Sequence, residues 1–158
     1  MSIRLTPTRT RQTDVPTSWG LLALRIAVGG LLLIHGIQGL LNPAGRIASS
    51  QRLGVPFPTL TSWLSISGEF LTGLGVLVGA LTVVASMCMA LLMAATWLFS
   101  SIGQPLFSSE PGISGENALF FCLGAIALTV LGAGRFSIDH AVSTRTASGR
   151  EHVRTTVS

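Results

Sequence analysis

Lysine and tyrosine are missing altogether from the 158-residue chain, and charge of either sign is scarce at 10% of residues. A soluble domain carries about 25% charged residues. The shortage, set against 48% hydrophobic residues and a mean hydropathy of +0.63, excludes an intrinsically disordered chain and a small soluble domain. Neither has enough interior to hide that much apolar surface. Only two cysteines, Cys88 and Cys122, are present, with no CxxC pair. That excludes a disulfide framework and a zinc or iron–sulfur pattern. No P-loop, nucleophile elbow or metal motif occurs. A glycine-spaced run, Gly73 to Gly79, lacks the strand and acidic residue of a dinucleotide loop. Met87, Met89 and Met93 are read as span residues, so no metal is expected and no protein-bound cofactor is evident. All ten basic residues are arginines, and the net charge is +4. Beside apolar spans such charge points to anionic membrane lipid, not nucleic acid.

What is present is a succession of long apolar runs. They predict an all-α fold, a bundle of four transmembrane helices with polar tails at 1–18 and 141–158. The spans are expected at about 19–41, 60–79, 82–101 and 116–134, within a membrane domain of 19–140. The first run is preceded by arginines but followed by no A-x-A-like site, so it is read as an uncleaved span. Asn42-Pro43 ends it, and 44–53 has the composition of a short surface helix. The stretch 60–99 would be about 60 Å long as one helix, twice a hydrocarbon core, so it is divided near Gly79. Seven of the ten arginines fall before the first span or after the fourth: Arg4, Arg9, Arg11, Arg135, Arg145, Arg150 and Arg154. The positive-inside rule then puts both termini in the cytoplasm of a multi-pass plasma-membrane protein.

Three ionisable residues fall within the expected spans: Arg25, His35 and Glu69. Charge in hydrocarbon is costly and marks an internal pair, a polar cavity or a proton path. By helical rise, His35 and Glu69 lie about 9 and 13 Å from the same membrane face, so their side chains are expected to meet. Arg25 lies about 15 Å from His35 along the axis. Arg25, His35 and Glu69 are therefore the candidate polar pocket, with a structural lock between the first two helices as the alternative. A second-span face of small residues, Ser65, Gly68, Thr72, Gly75 and Gly79, is expected to allow close helix packing. In the first span Arg25, Gly29, Leu32, Gly36 and Gly39 share a stripe. Asp139 and Arg135 are read as a helix-end cap or a partner for Arg25. Cys88 and Cys122 are read as packing residues.

These residues together resemble the DoxX family of small four-helix membrane proteins. The matching pieces are Leu24-Arg25-Ile26-Ala27-Val28-Gly29 with His35-Gly36, and Gly54-Val55-Pro56. Gly68-Glu69 with Gly73 and Gly79 follows, and then Gly134-Arg135-Phe136-Ser137-Ile138-Asp139. The resemblance spans roughly 20–140. It implies a bacterial inner-membrane location and a thiol-, sulfur- or quinone-linked redox system, with quinone as the cofactor to expect. Relatives include a membrane subunit of a thiosulfate:quinone oxidoreductase. An actinobacterial relative is thought to assemble with a soluble sulfurtransferase and a superoxide dismutase, which makes such enzymes, and a second copy of the chain, the partners to expect. Many members carry only an oxidoreductase label. Where many relatives have a basic residue shortly after the His-Gly pair, this chain has Gln38. Two further functions stay open: a non-enzymatic anchor for soluble redox enzymes, and a small proton-linked transport module.

Overall fold

A computed structural model describes residues 15–101, 115–140 and 142. Expectations for most of the two tails and for the 102–114 connection lie outside the described residues. The described residues form helices and no strand. Helix α1 (Val15–Arg25) runs through a π turn (Ile26–Gly30) into α2 (Leu31–Leu41), and together they make one long rod. The rod begins at Val15, inside the 1–18 stretch read as tail. Pro16 is tolerated there because the first turn has no intrahelical acceptor for its missing N–H. Asn42 breaks the rod and starts α3 (Pro43–Arg52), its Oδ1 accepting the Gly45 N–H at 3.0 Å, with Pro43 in the first turn. Helices α4 (Pro58–Val78) and α5 (Thr82–Ser101) form a hairpin, and α6 (Glu116–Leu131) returns beside α5. The α1–α2 rod packs on α4, α4 on α5, α5 on α6, and α6 back on α1, closing a ring.

The α4–α5 turn is made by Gly79, whose φ of +72° is a left-handed C-cap that favours glycine. A Cβ there would also strike the Arg25 guanidinium and Ser137. Inside the ring lie Val28, Leu32, Val76, Met89, Met93, Phe121, Ala125 and Leu128. Met89 and Met93 are thus core residues, while Met87 faces out.

Two stretches, Ser18–Leu41 and Thr82–Phe99, are long and apolar enough to cross a membrane, and α6 is apolar but shorter. Only 33% and 22% of those two stretches is buried within the protein. The core helix of a soluble protein would be mostly buried, whereas these present Ile34, Leu41, Val84, Leu91 and Leu98 outward. Such an apolar exterior needs lipid as its solvent.

Lipid does not drive helices together, so contact depends on close packing. The rod and α4 touch backbone to backbone. A Cβ on Gly73 would lie 2.6 Å from the Leu33 nitrogen, and one on Gly36 would lie 2.6 Å from the Phe70 nitrogen. The expected face of α4 is directed elsewhere. Gly68 receives Leu92 and Gly75 receives Ala85, both from α5, and the Thr72 hydroxyl donates back to the Gly68 carbonyl at 2.6 Å. Thus the small residues Gly68 and Gly75 of α4 face α5, while at the other contact α4 supplies Gly73 and the rod supplies Gly29, Gly36 and Gly39.

Gly73→Ala should therefore push α4 from the rod and lower stability by about 1–3 kcal/mol. Gly20→Ala, where a Cβ meets nothing within 4 Å, should be neutral or slightly stabilising. Thermal unfolding of both variants in one detergent checks the contrast.

Candidate functional site

Charged residues gather at the two ends of the bundle. At the turn end, Arg25 is 1% exposed. Its guanidinium is satisfied entirely by backbone oxygens. Nε donates to the Val76 carbonyl at 2.9 Å and Nη2 to that of Leu77 at 2.9 Å. Nη1 donates to the carbonyls of Ala133 at 3.1 Å and Phe136 at 2.7 Å. Val76 and Leu77 belong to the last turn of α4, where carbonyls lack intrahelical partners and the helix dipole is negative. One side chain of α1 therefore ties the end of α4 to the segment after α6.

Asp139 completes this clasp from the other direction. Its carboxylate accepts the N–H groups of Leu81 at 2.7 Å and Thr82 at 2.8 Å, capping α5, and its own N–H donates to the Gly79 carbonyl at 3.0 Å. Partial burial acts to raise its pKa. The Thr82 and Leu81 N–H donors and the nearby Arg25 charge outweigh that, and the carboxyl is held below the ordinary carboxylate range. Asp139 thus serves as the cap of α5, not of α6, and Arg25 acts on it through charge.

At the opposite end, Glu69 is 3% exposed on α4. Its Oε2 is paired with the Arg46 Nη2 of α3, and its Oε1 accepts the Ser65 hydroxyl at 3.0 Å. The same Arg46 nitrogen also reaches the His35 carbonyl at 3.4 Å. The expected meeting of the His35 and Glu69 side chains is not what this geometry holds. The imidazole is exposed and stands edge-on to Phe121, ring centroids 5.7 Å apart. The α2 axis presents the backbone of His35 to the site and turns its ring away. Arg25 is also separate from Glu69, because its α4 partners lie seven and eight residues further on, about 10 Å along the axis. Of the three residues grouped from the sequence, Glu69 alone has its side chain in this site.

Arg46 is the residue the sequence did not single out. It lies in the 44–53 stretch expected to form a short surface helix, and its position alone signals no pairing with Glu69. Beside the Arg46–Glu69 pair a cleft of about 290 Å³ opens between α3, α4 and α5. Arg46, Ser50 and Ser65 give it polar groups, and Leu92, Thr96 and Phe99 line its α5 wall. Ser50 is held by a hydroxyl–hydroxyl bond to Ser62 at 2.8 Å. Such a cleft suits an amphipathic molecule whose head meets hydrogen-bond donors while its body lies on apolar wall. Among the described residues no cluster of three His, Cys, Asp or Glu could hold a metal. Cys88 is exposed, not packed, whereas Cys122 packs inward with its Sγ–H 3.4 Å from the Ala90 carbonyl.

The DoxX family model matches residues 20–101, which include Arg25, Arg46, Glu69 and the α4–α5 hairpin. The chain belongs to the DoxX family. No curated protein and no solved structure matches it. Family membership and the apolar helices make it a membrane protein, and both the clasp and the cleft are assembled largely within the DoxX segment.

The clasp carries a pH dependence of definite sign. The Asp139 pKa is lowered on folding, so its contribution is complete above the unfolded carboxylate range and is lost as pH falls through the lower folded value. Asp139→Asn should lower the melting temperature at neutral pH, and the difference from the parent should shrink only below about pH 4. A pH series of thermal melts measures it.

Proposed function

We propose that the protein is a small multi-pass component of a redox system in the bacterial inner membrane, with a quinone head group bound in the cleft beside Arg46 and Glu69. The observation that carries this reading is the placement of a buried, arginine-paired carboxylate next to a lateral cleft with both polar and apolar walls. A quinone offers two carbonyl acceptors and a long apolar tail. Arg46 is a donor suited to the former, Ser50 can donate when Ser62 donates to it, and the α5 wall suits the latter. Glu69 lies behind the cleft wall, and Ser65, which lines the cleft and donates to it, would relay a proton between that carboxylate and the head group. Reduction to the quinol takes two electrons and two protons, which would come from a pair of thiols reaching the cleft from the α3 side and leaving as a disulfide. Both termini lie in the cytoplasm on this reading, by the arginine distribution, and α3 lies on the far side. Proton-linked transport is less well supported, since the packed layer of Val28, Leu32, Val76 and Met89 lies in the core between the two charged ends.

The test is quinone content. The full chain, purified in mild detergent, should retain extractable quinone measured by mass spectrometry. Loss of a charge-assisted hydrogen bond in Arg46→Gln should cut occupancy about tenfold, and so should filling the cleft with Leu92→Trp. Gln38→Ala, outside the cleft lining, should leave occupancy unchanged. Absence of quinone from the parent, or equal retention by all variants at equal melting temperature, would defeat the reading.

A further inference from the structure

A second recess lies at the turn end, on the opposite end of the bundle from the cleft. It measures about 400 Å³ and is lined by Ser18, Arg135, Phe136 and His140. Ser18 is 1% exposed, and its hydroxyl has no hydrogen-bond partner. A buried donor left unmade is costly in a protein interior and calls for an acceptor. Arg135 stands at the rim, exposed, just past the end of α6. Trp19 lies against Phe136 beside it, ring centroids 4.8 Å apart and planes tilted by 44°, while 57% of Trp19 remains exposed. Tryptophan of this kind belongs at the boundary between head groups and hydrocarbon. One and two turns further along the rod, Ala23 and Ile26 are exposed apolar residues on the same side as Trp19.

We propose that this recess binds the phosphate of an anionic phospholipid. The buried Ser18 hydroxyl and the Arg135 guanidinium donate to phosphate oxygens, and an acyl chain runs along Trp19, Ala23 and Ile26. A phosphate supplies the acceptor that Ser18 lacks, and the apolar track selects a lipid over a free ion. The site is independent of the quinone reading, sharing no residue with the cleft.

Native mass spectrometry of the full chain with phosphatidylglycerol or phosphatidylcholine tests it. Phosphatidylglycerol should be retained about fivefold over phosphatidylcholine. Arg135→Gln and Ser18→Ala should each erase that preference, and Arg52→Gln at the other end should preserve it. Millimolar inorganic phosphate should not displace the lipid. A merely structural Ser18 would leave lipid selectivity untouched when its hydroxyl is removed. Equal retention of the two lipids, unchanged selectivity in either recess variant, or displacement by inorganic phosphate would each overturn the proposal.

Discussion

A charge placed among apolar helices must find its partners within the protein, because hydrocarbon supplies none. Among the described residues, Arg25 and Glu69 are the buried charged groups on which that constraint falls, and each is resolved differently. Arg25 is surrounded by carbonyl oxygens from α4 and from the segment after α6, and it closes the bundle. Its solution uses groups that helix ends leave unsatisfied, so one side chain meets the needs of both partners. Glu69 is met by a single arginine carried on a short surface helix, with Ser65 taking its other oxygen. That solution draws α3 onto the bundle and leaves a cleft at the seam. The first arrangement is a fastening, and the second leaves an open cleft beside a buried ion pair.

Neither arrangement would be within reach without the glycines. Backbone contact at Gly36 and Gly73 brings the rod and α4 close enough for Arg25 to span from one to the carbonyls of the other. Gly68 and Gly75 do the same for α5, whose Leu92 then forms a wall of the cleft. Packing and polar chemistry are therefore linked. Widening either helix contact would loosen the clasp or reshape the cleft.

Much of this was legible in the amino-acid order. The apolar runs signal an all-helical chain, and the ordered pieces around Arg25, Glu69 and Gly79 point to the DoxX family. The cost of intramembrane charge singles out Arg25 and Glu69 as residues needing an explanation. Their partners were not legible, for a physical reason. Helical rise and angle place residues within one helix, but the pairing of Glu69 depends on how α3 folds back over α4. Residue spacing does not encode that return. Arg46 therefore looked like an ordinary loop charge, and His35 looked like the nearer partner by depth alone. Depth sets height in the bundle but not which way a ring points, and the His35 ring faces Phe121. Similarly, spacing picked out Gly68 and Gly75 as a small-residue face on α4 but not which helix that face meets, nor that Gly73 meets the rod.

The most direct measurement is a double-mutant cycle on Arg46 and Glu69, read by thermal or denaturant unfolding of the purified full chain. Arg46→Leu alone leaves a buried carboxylate without its cation and should cost about 3 kcal/mol. Arg46→Leu combined with Glu69→Leu should cost less than the sum of the single changes by about 1–3 kcal/mol. Additive effects, or a stronger coupling of Glu69 with His35 than with Arg46, would contradict the account.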